Sequence, residues 1–161
     1  MKLVRDAGEC DLPDIMELMR RARDESDVFK HFYEVDESHV RSSLTAMLAD
    51  HNYIVLIGRE VNSVTYLDGK TIGVFIGLVG TSWFSPTVEA TELFLYVDKE
   101  YRGSRIAYKM LNNFERLAKW KNAKRIVAGN SLEINSRVVR KLYKGLGYTV
   151  DGDSFTKVLN V

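Results

Sequence analysis

The sequence has few of the residues that build disulfide frameworks and metal centres. Its 161 residues include one cysteine, Cys10, two prolines and three histidines. A single cysteine excludes an internal disulfide framework and is typical of a reducing compartment, so we expect a cytoplasmic protein. The histidines, His31, His39 and His51, do not have the spacing of metal ligands. We therefore expect no bound metal ion.

Long apolar runs and an excess of charge of one sign are also lacking. No run approaches the roughly 20 residues of a membrane-spanning helix, and the first residues do not have the basic-then-apolar pattern of a signal peptide. We therefore expect no membrane partner. The net charge is only +1, whereas a general nucleic-acid-binding domain usually carries a concentrated basic excess, so we expect no nucleic-acid partner either.

The remaining composition is that of an ordinary soluble globular protein. Hydrophobic residues make up 45% of the chain and charged residues 28%. A chain of 161 residues has the usual length of one domain and buries roughly two thirds of its unfolded surface. We predict a single domain over residues 1–161.

Hydrophobic periodicity predicts an α/β (α+β) chain in which strands and helices are mixed. The N-terminal half is predicted to contain a strand at 2–5, a helix capped by Asp11, an aromatic loop at 28–35, a helix starting at Asp36 or Ser38, strands at 53–57 and 71–79, and a further piece at 64–67 before an Asp68-Gly69 turn. A loop at 80–86 carrying Trp83 and Phe84 follows. The C-terminal half is predicted to contain a strand at 93–97, a helix from Ile106, a buried strand at 125–128, a helix at 135–146 and closing strands at 148–150 and 154–159.

This order predicts one mixed, mostly antiparallel sheet of six to seven strands with helices on both faces. Its central feature is residues 91–117, where a strand, a turn at 102–105 and an amphipathic helix follow one another. A helix that begins just after a glycine turn presents unpaired backbone N–H groups at the positive end of its dipole. The stretch is therefore a candidate anion site.

Two segments carry a family resemblance. LYVDKEYRGSRIA resembles the acyl-CoA-binding segment of the GNAT-type N-acetyltransferases, whose Q/R-x-x-G-x-G/A motif follows a strand and opens a helix. Arg102 fits its first position and Ala107 its last, while Arg105 stands where the family usually has glycine. NSRVVRKLYKGLGY resembles the later family signature, with Tyr143 on the family's tyrosine and Gly147-Tyr148 on its closing pair.

The resemblance implies acetyl-CoA as the co-substrate and a set of residues that hold it. Backbone groups of the strand are expected to contact the pantetheine arm and polarise the thioester, and the turn to bind the pyrophosphate. Arg105 is expected either to grip a phosphate or to lie in solvent. The expected cofactor-binding residues are Leu95, Tyr96, Val97, Arg102, Gly103, Ser104, Arg105, Ile106, Ala107 and Asn135, the last of which lies one residue farther from the tyrosine than in the commonest signature.

Transfer to an amine also needs a base and an acid. Tyr143 is the candidate acid, because a phenol can protonate a departing thiolate. For the base the candidates are Glu92, Glu89 and a water chain. Counting back from the turn, the family's glutamate falls near Thr91, and a bulge in the strand would bring Glu92 into register.

The resemblance also implies an amine acceptor, which is either a small molecule or a protein amine. It would approach from the side built by the first two helices and the loop before the central strand. Homodimers are common in the family. The alternative to an N-acetyltransferase is a catalytically silent acyl-CoA-binding module that acts through protein contacts. The residues expected near the acceptor are His31, Phe32, Tyr33, Glu34, Trp83 and Phe84, with Asp24, Glu25 and Asp27 as attractants of a cation.

Overall fold

Five strands of the described chain form one sheet, whose order is the order of the sequence. The computed structural model describes residues 1–32, 34–61, 68–152 and 157. Neighbouring strands are antiparallel except for the last pair, which is parallel. The strands are β1 (Lys2–Asp6), β2 (Tyr53–Val61), β3 (Asp68–Ser82), β4 (Ser85–Val97) and β5 (Arg125–Val127).

Helices cover both faces of this sheet, as predicted. They are α1 (Leu12–Glu25), α2 (Asp27–Phe32), α3 (Glu37–Ala49), α4 (Ile106–Trp120) and α5 (Ser136–Gly145). Side chains alternate along β2, because successive residues of a strand point to opposite faces. Val55 and Ile57 pack on the side of α1 and α3, while Ile54 and Leu56 pack on the side of α4.

An extra residue in β4 changes which side chains face which helix. Ile76 pairs with Phe94 and the next residue of β3, Gly77, pairs with Glu92, so Leu93 is left over as a β-bulge. Before the bulge Ala90 packs on the α4 side, and after it Phe94 packs on the α1 side. The even-numbered residues of β4 therefore face α4 before Leu93 and face α1 after it.

The sheet also divides at this point. β5 pairs with β4 only at residues 89–91, and no other strand of the described chain pairs with that edge of β4 farther along. The connection from β5 to α5 instead crosses to the α1 side, where Leu132 is buried in the core. There the buried Ser26 hydroxyl donates to the Leu132 carbonyl over 2.7 Å.

Several local predictions were wrong. The predicted aromatic loop contains the helix α2, because Ser26 caps this helix. The Ser26 hydroxyl accepts a hydrogen bond from the Phe29 amide, and the Ser26 carbonyl accepts one from the Lys30 amide. The predicted loop at 80–86 narrows to a tight turn between β3 and β4, with Trp83 and Phe84 exposed at its tip. Asp11 precedes α1 without capping it, because its buried carboxylate accepts from Arg5 over 2.8 Å.

The strand count was also too high. The described sheet has five strands rather than six to seven, because residues 148–150 lie outside it. The predicted strand at 154–159 and the piece at 64–67 fall outside the described residues, apart from Lys157. Asp68 and Gly69 lie in β3 rather than in a turn, and β5 is exposed at both ends rather than buried. Within the described chain no helix combines the length and apolar character that a membrane crossing needs.

The packing of α4 on the sheet can be tested at Gly77. A Cβ atom at this position would lie 2.4 Å from the ring of Phe114, which is itself fully buried. We expect Gly77→Ala to lower the free energy of unfolding by about 1–3 kcal/mol through overpacking. Gly80→Ala is the matched control on the same strand, because nothing lies within 4 Å of its added Cβ. Urea unfolding should separate the two variants, and equal midpoints would contradict this account of the packing.

Candidate active site

A cleft of about 850 Å³ opens where β4 parts from β5. It lies between the unpaired edge of β4, the turn before α4, the connection from β5 and the first turns of α5. The cleft is lined by Tyr143 and Glu92 of the predicted proton-transfer residues and by all the predicted cofactor-binding residues, which are Leu95, Tyr96, Val97, Arg102, Gly103, Ser104, Arg105, Ile106, Ala107 and Asn135. Their roles remain predictions.

The turn before α4 is built from two residues in the left-handed region. Gly103 has a φ of 81° and Arg105 a φ of 64°, and α4 starts at the next residue, Ile106. Ile106 is buried and anchors the first turn of the helix in the core. The first N–H groups of α4 have no partner within the helix and lie at the cleft. The turn therefore presents a positive dipole end to the cleft.

The two arginines of the turn differ in their surroundings. The Arg102 Nε donates to the Val97 carbonyl over 3.1 Å, and its Nη2 donates to the Glu25 carboxylate over 2.6 Å. Glu25 also accepts from the Tyr96 hydroxyl over 2.6 Å, so this cluster ties the end of α1 to the end of β4. Arg105 is exposed and has no side-chain partner within the described part of the chain. Of the two arginines of the turn, Arg105 is thus the one whose guanidinium is available to bind a ligand.

Glu92 and Tyr143 are joined by a hydrogen bond in the cleft. The Tyr143 hydroxyl donates to the Glu92 carboxylate and lies 3.3 Å from the Gly129 carbonyl oxygen. Burial raises the pKa of Glu92 to about 7, although the hydrogen bond from Tyr143 acts in the opposite direction. Burial and the nearby Glu92 charge raise the pKa of Tyr143 well above its usual value. Glu92 can therefore gain or lose a proton near neutral pH, whereas the Tyr143 hydroxyl keeps its proton.

Glu89 has a different environment. It lies where β4 is still paired with β5, and its carboxylate forms an ion pair with Arg125 over 3.0 Å. It does not line the cleft. Of the two glutamate candidates, Glu92 is therefore the one that lies beside Tyr143, next to the bulge at Leu93.

The end of α5 fixes the orientation of two tyrosine rings. Gly147 has a φ of 86°, its amide donates to the Lys144 carbonyl, and the Tyr148 amide donates to the Tyr143 carbonyl. This pair of bonds is a Schellman motif, in which the residue after the glycine packs back on the last turn. The rings of Tyr143 and Tyr148 accordingly lie 5.2 Å apart.

Part of the cleft was not predicted from the sequence, and two residues expected near the acceptor lie away from the cleft. The connecting residues from Gly129 to Leu132 line the cleft, but they carry no motif and reach it only through tertiary contacts. Trp83 and Phe84 lie at the opposite end of β4, roughly 25 Å of strand from Glu92, and do not line the cleft. His31 and Glu34 are exposed, Tyr33 is outside the described residues, and nothing is described of the Phe32 side chain.

Solved structures share the fold across the whole chain. A transcriptional regulator from Bacillus halodurans C-125 superposes with a TM-score of 0.78 at 12% identity, covering 99% of this chain and 100% of its own. An aminoglycoside antibiotic 6'-N-acetyltransferase from Acinetobacter haemolyticus has a TM-score of 0.69 at 15% identity, and covers 99% of each chain. A ribosomal-protein-alanine N-acetyltransferase from Brucella melitensis biovar Abortus 2308 has a TM-score of 0.70 at 15% identity, again covering 99% of each chain. At such identities the likeness shows the fold alone.

The sequence itself identifies the family. No curated protein sequence matches the chain. The family model for the acetyltransferase (GNAT) domain matches residues 58–150, more than half of the chain, including both segments of the resemblance. The resemblance is thus confirmed, and with it the prediction of an N-acetyltransferase. The chain belongs to the GNAT acetyltransferase family.

Proposed function

We propose that the protein transfers an acetyl group from acetyl-CoA to a primary amine by direct attack in a ternary complex. One observation carries this proposal: a hydrogen-bonded carboxylate and phenol, Glu92 and Tyr143, share one cleft with the N-terminus of α4. The acetyltransferase is a single domain over residues 1–161. Whole-chain superposition on solved acetyltransferases supports that extent.

The residues of the cleft fit acetyl-CoA. Its volume is at the upper end of the range for ligand pockets, which suits an extended cofactor. The N–H groups that open α4 suit the pyrophosphate, with Gly103 leaving open space beside them. Arg105 adds a free cation there, and Arg102 supports the turn through Glu25 and Val97. The edge of β4 after the bulge offers main-chain groups to the pantetheine arm, at Leu95 to Val97.

Glu92 and Tyr143 divide the proton transfers between them. Acetyl-CoA supplies a thioester carbonyl, whose carbon–sulfur bond is exchanged for a carbon–nitrogen bond to the amine. The Glu92 carboxylate accepts a proton from the incoming ammonium, whose pKa is near ~10.4. The elevated pKa of Glu92 makes this transfer less uphill than it would be for an exposed carboxylate.

The hydrogen bond between the two residues lets that proton be used again. The Tyr143 hydroxyl gives its proton to the departing sulfur, and protonated Glu92 restores it through the existing hydrogen bond. The second proton that the amine loses goes to water. The high pKa of Tyr143 means that the phenol cannot remain ionised, so its proton loss and recovery are coupled.

The acceptor is a primary amine on a small molecule or a protein. Two solved proteins of this fold carry names with amine acceptors of both kinds, an aminoglycoside and a ribosomal-protein alanine. The alternative function is that of a catalytically silent acyl-CoA-binding module. It is motivated by Arg105, which stands where the family's motif usually has glycine.

Ligand-dependent melting and thiol release test the proposal together. We expect acetyl-CoA at about 100 times its Kd to raise the melting temperature by about 5–10 °C, while ATP and NAD do not. Free thiol should appear when aminoglycosides, polyamines or peptides with a free N-terminus are added with acetyl-CoA. No melting shift with either acetyl-CoA or CoA would contradict cofactor binding. A shift without thiol release for any amine would favour the silent module.

The base is tested by two matched glutamine substitutions. We expect Glu92→Gln to lower kcat by about 10²–10⁴-fold, because general base catalysis is lost. Glu89→Gln, three residues away on the same strand but paired with Arg125, should keep kcat within a few-fold. Because Glu92 acts only when ionised, kcat of the unaltered enzyme should fall as the pH drops through about 7. Equal losses in the two variants, or a pH-independent kcat between 6 and 8, would contradict the assignment.

Arg105 is tested by glycine and alanine substitutions. Both remove the guanidinium, so both should weaken acetyl-CoA binding by several-fold if Arg105 contacts a phosphate. They differ in backbone strain, because alanine keeps a left-handed residue with a Cβ at φ 64° and glycine does not. Arg105→Gly should therefore be about 1 kcal/mol more stable than Arg105→Ala. Calorimetric titration with acetyl-CoA and with dephospho-CoA measures the first effect; unchanged affinity in both variants would leave Arg105 without a phosphate role.

A further inference from the structure

The cleft has two walls that sheet pairing does not hold together. The first wall is β4 after residue 91 with the turn before α4, and the second is the connection from β5 to α5. Within the described chain no main-chain ladder joins these walls, so their separation depends on side-chain contacts. One such link is Tyr143, whose hydroxyl contacts Glu92 on the first wall and the Gly129 carbonyl on the second.

A second link joins the walls from the α1 side. It consists of two consecutive residues between α1 and α2, Glu25 and Ser26, which we call the α1–α2 junction. The Glu25 carboxylate accepts from the Tyr96 hydroxyl and from the Arg102 guanidinium, each over 2.6 Å, and both donors line the first wall. The Ser26 hydroxyl donates over 2.7 Å to the carbonyl of Leu132, which lines the second wall. Adjacent residues of one backbone segment therefore bind both walls.

The surroundings of the α1–α2 junction hold its side chains in place. Ser26 is 1% exposed, and its hydroxyl also accepts from the Phe29 amide, so two hydrogen bonds fix it. The side chains of Glu25 and Arg102 are largely buried, with exposed fractions of 28% and 26%, and they form an ion pair. The Arg102 guanidinium also lies 5.6 Å from the centre of the Tyr96 ring. Hydrogen bonds between charged groups are stronger than those between neutral ones, so the attachment to the first wall is firm.

We propose that Glu25 and Ser26 are positioning residues that fix the width of the cleft for the pantetheine arm of acetyl-CoA. The inference rests on the proposed function, in which the arm lies between the two walls along Leu95 to Val97. Neither residue of the junction lines the cleft, and each acts through wall residues that do. A site that is already held in its bound geometry binds more tightly, because the ligand does not have to order it.

Three hydroxyl deletions test the junction. Ser26→Ala releases the second wall, and Tyr96→Phe weakens the link to the first wall while the Glu25–Arg102 ion pair remains. Thr71→Val is the matched control. It also removes a buried hydroxyl that joins α1 to the sheet, over 2.6 Å to Asp14, but Thr71 does not line the cleft.

Calorimetric titration with two ligands separates the arm from the turn. CoA carries the pantetheine arm, whereas adenosine bisphosphate, the nucleotide part of CoA, does not. We expect Ser26→Ala and Tyr96→Phe each to raise the Kd for CoA by about 3–10-fold, which corresponds to the loss of one hydrogen bond. The Kd for adenosine bisphosphate should stay unchanged in both variants, and Thr71→Val should change neither value. A general loss of stability would not produce this difference between the ligands.

Hydrogen exchange of the backbone amides at 125–132 is a second measurement, and it needs no ligand. A wall that has lost its attachment opens locally more often. We therefore expect exchange in this segment to be several-fold faster in Ser26→Ala than in the unaltered protein, and unchanged in Thr71→Val. Equal exchange in all three proteins would contradict the link between the junction and the second wall.

The outcomes distinguish this inference from the proposed function. An unchanged Kd for CoA in both wall variants, or an equal loss of adenosine bisphosphate binding, would overturn the role of Glu25 and Ser26 alone. If Ser26→Ala does not fold, Tyr96→Phe decides the question by the same two titrations. Failure of CoA to bind the unaltered protein would count against the proposed function and would overturn the positioning role with it.

Discussion

The extra residue at Leu93 is the constraint on which the site depends. Without it, Glu92 and Phe94 would point to the same face of the sheet, and β3 would fix the whole of β4 in one register. With it, Glu92 turns toward α5 and Tyr143, while Phe94 and Tyr96 complete the core under α1. One inserted residue therefore allows Glu92 to face Tyr143 while Phe94 and Tyr96 still pack in the core on the α1 side.

Each of the two helices beside the cleft, α4 and α5, has a residue in the left-handed region at the end that borders the cleft or its tyrosines. Arg105 opens α4 at φ 64°, and Gly147 closes α5 at φ 86°. The first turns N–H groups toward the cleft, and the second sets Tyr148 against Tyr143. One cleft thus contains both the positive end of the α4 dipole, which suits an anion, and the half-buried Glu92 carboxylate, which can take up a proton. The same apolar surroundings that hold Glu92 also raise its pKa, so its chemistry follows from its packing.

Local patterns were sufficient for much of this arrangement. The helical spacing after Ile106 predicted the start of α4, and the segment ending in Gly147 predicted both ends of α5 within about a residue. The sequence analysis identified a bulge as the requirement for Glu92 to take the position of the family's glutamate. The bulge itself arises from the pairing of β4 with β3, and no local sequence pattern predicts that register. The Glu25–Arg102 ion pair joins residues 77 positions apart, so a motif that suggests phosphate for Arg102 cannot reveal its protein partner. Helix α2 was not predicted, because Ser26, which caps it, lies among the charged residues Asp24, Glu25 and Asp27.

The narrow hairpin between β3 and β4 has an optical consequence. The chain contains two tryptophans, and both are at the surface: Trp83 at the hairpin tip is 94% exposed and Trp120 at the end of α4 is 76% exposed. The cleft, by contrast, is lined by tyrosines, among them Tyr96, Tyr101 and Tyr143. Indole emission from this protein therefore reports on solvent at its outer surface. A fluorescence signal from the cleft requires an indole introduced there or a fluorescent analogue of the ligand.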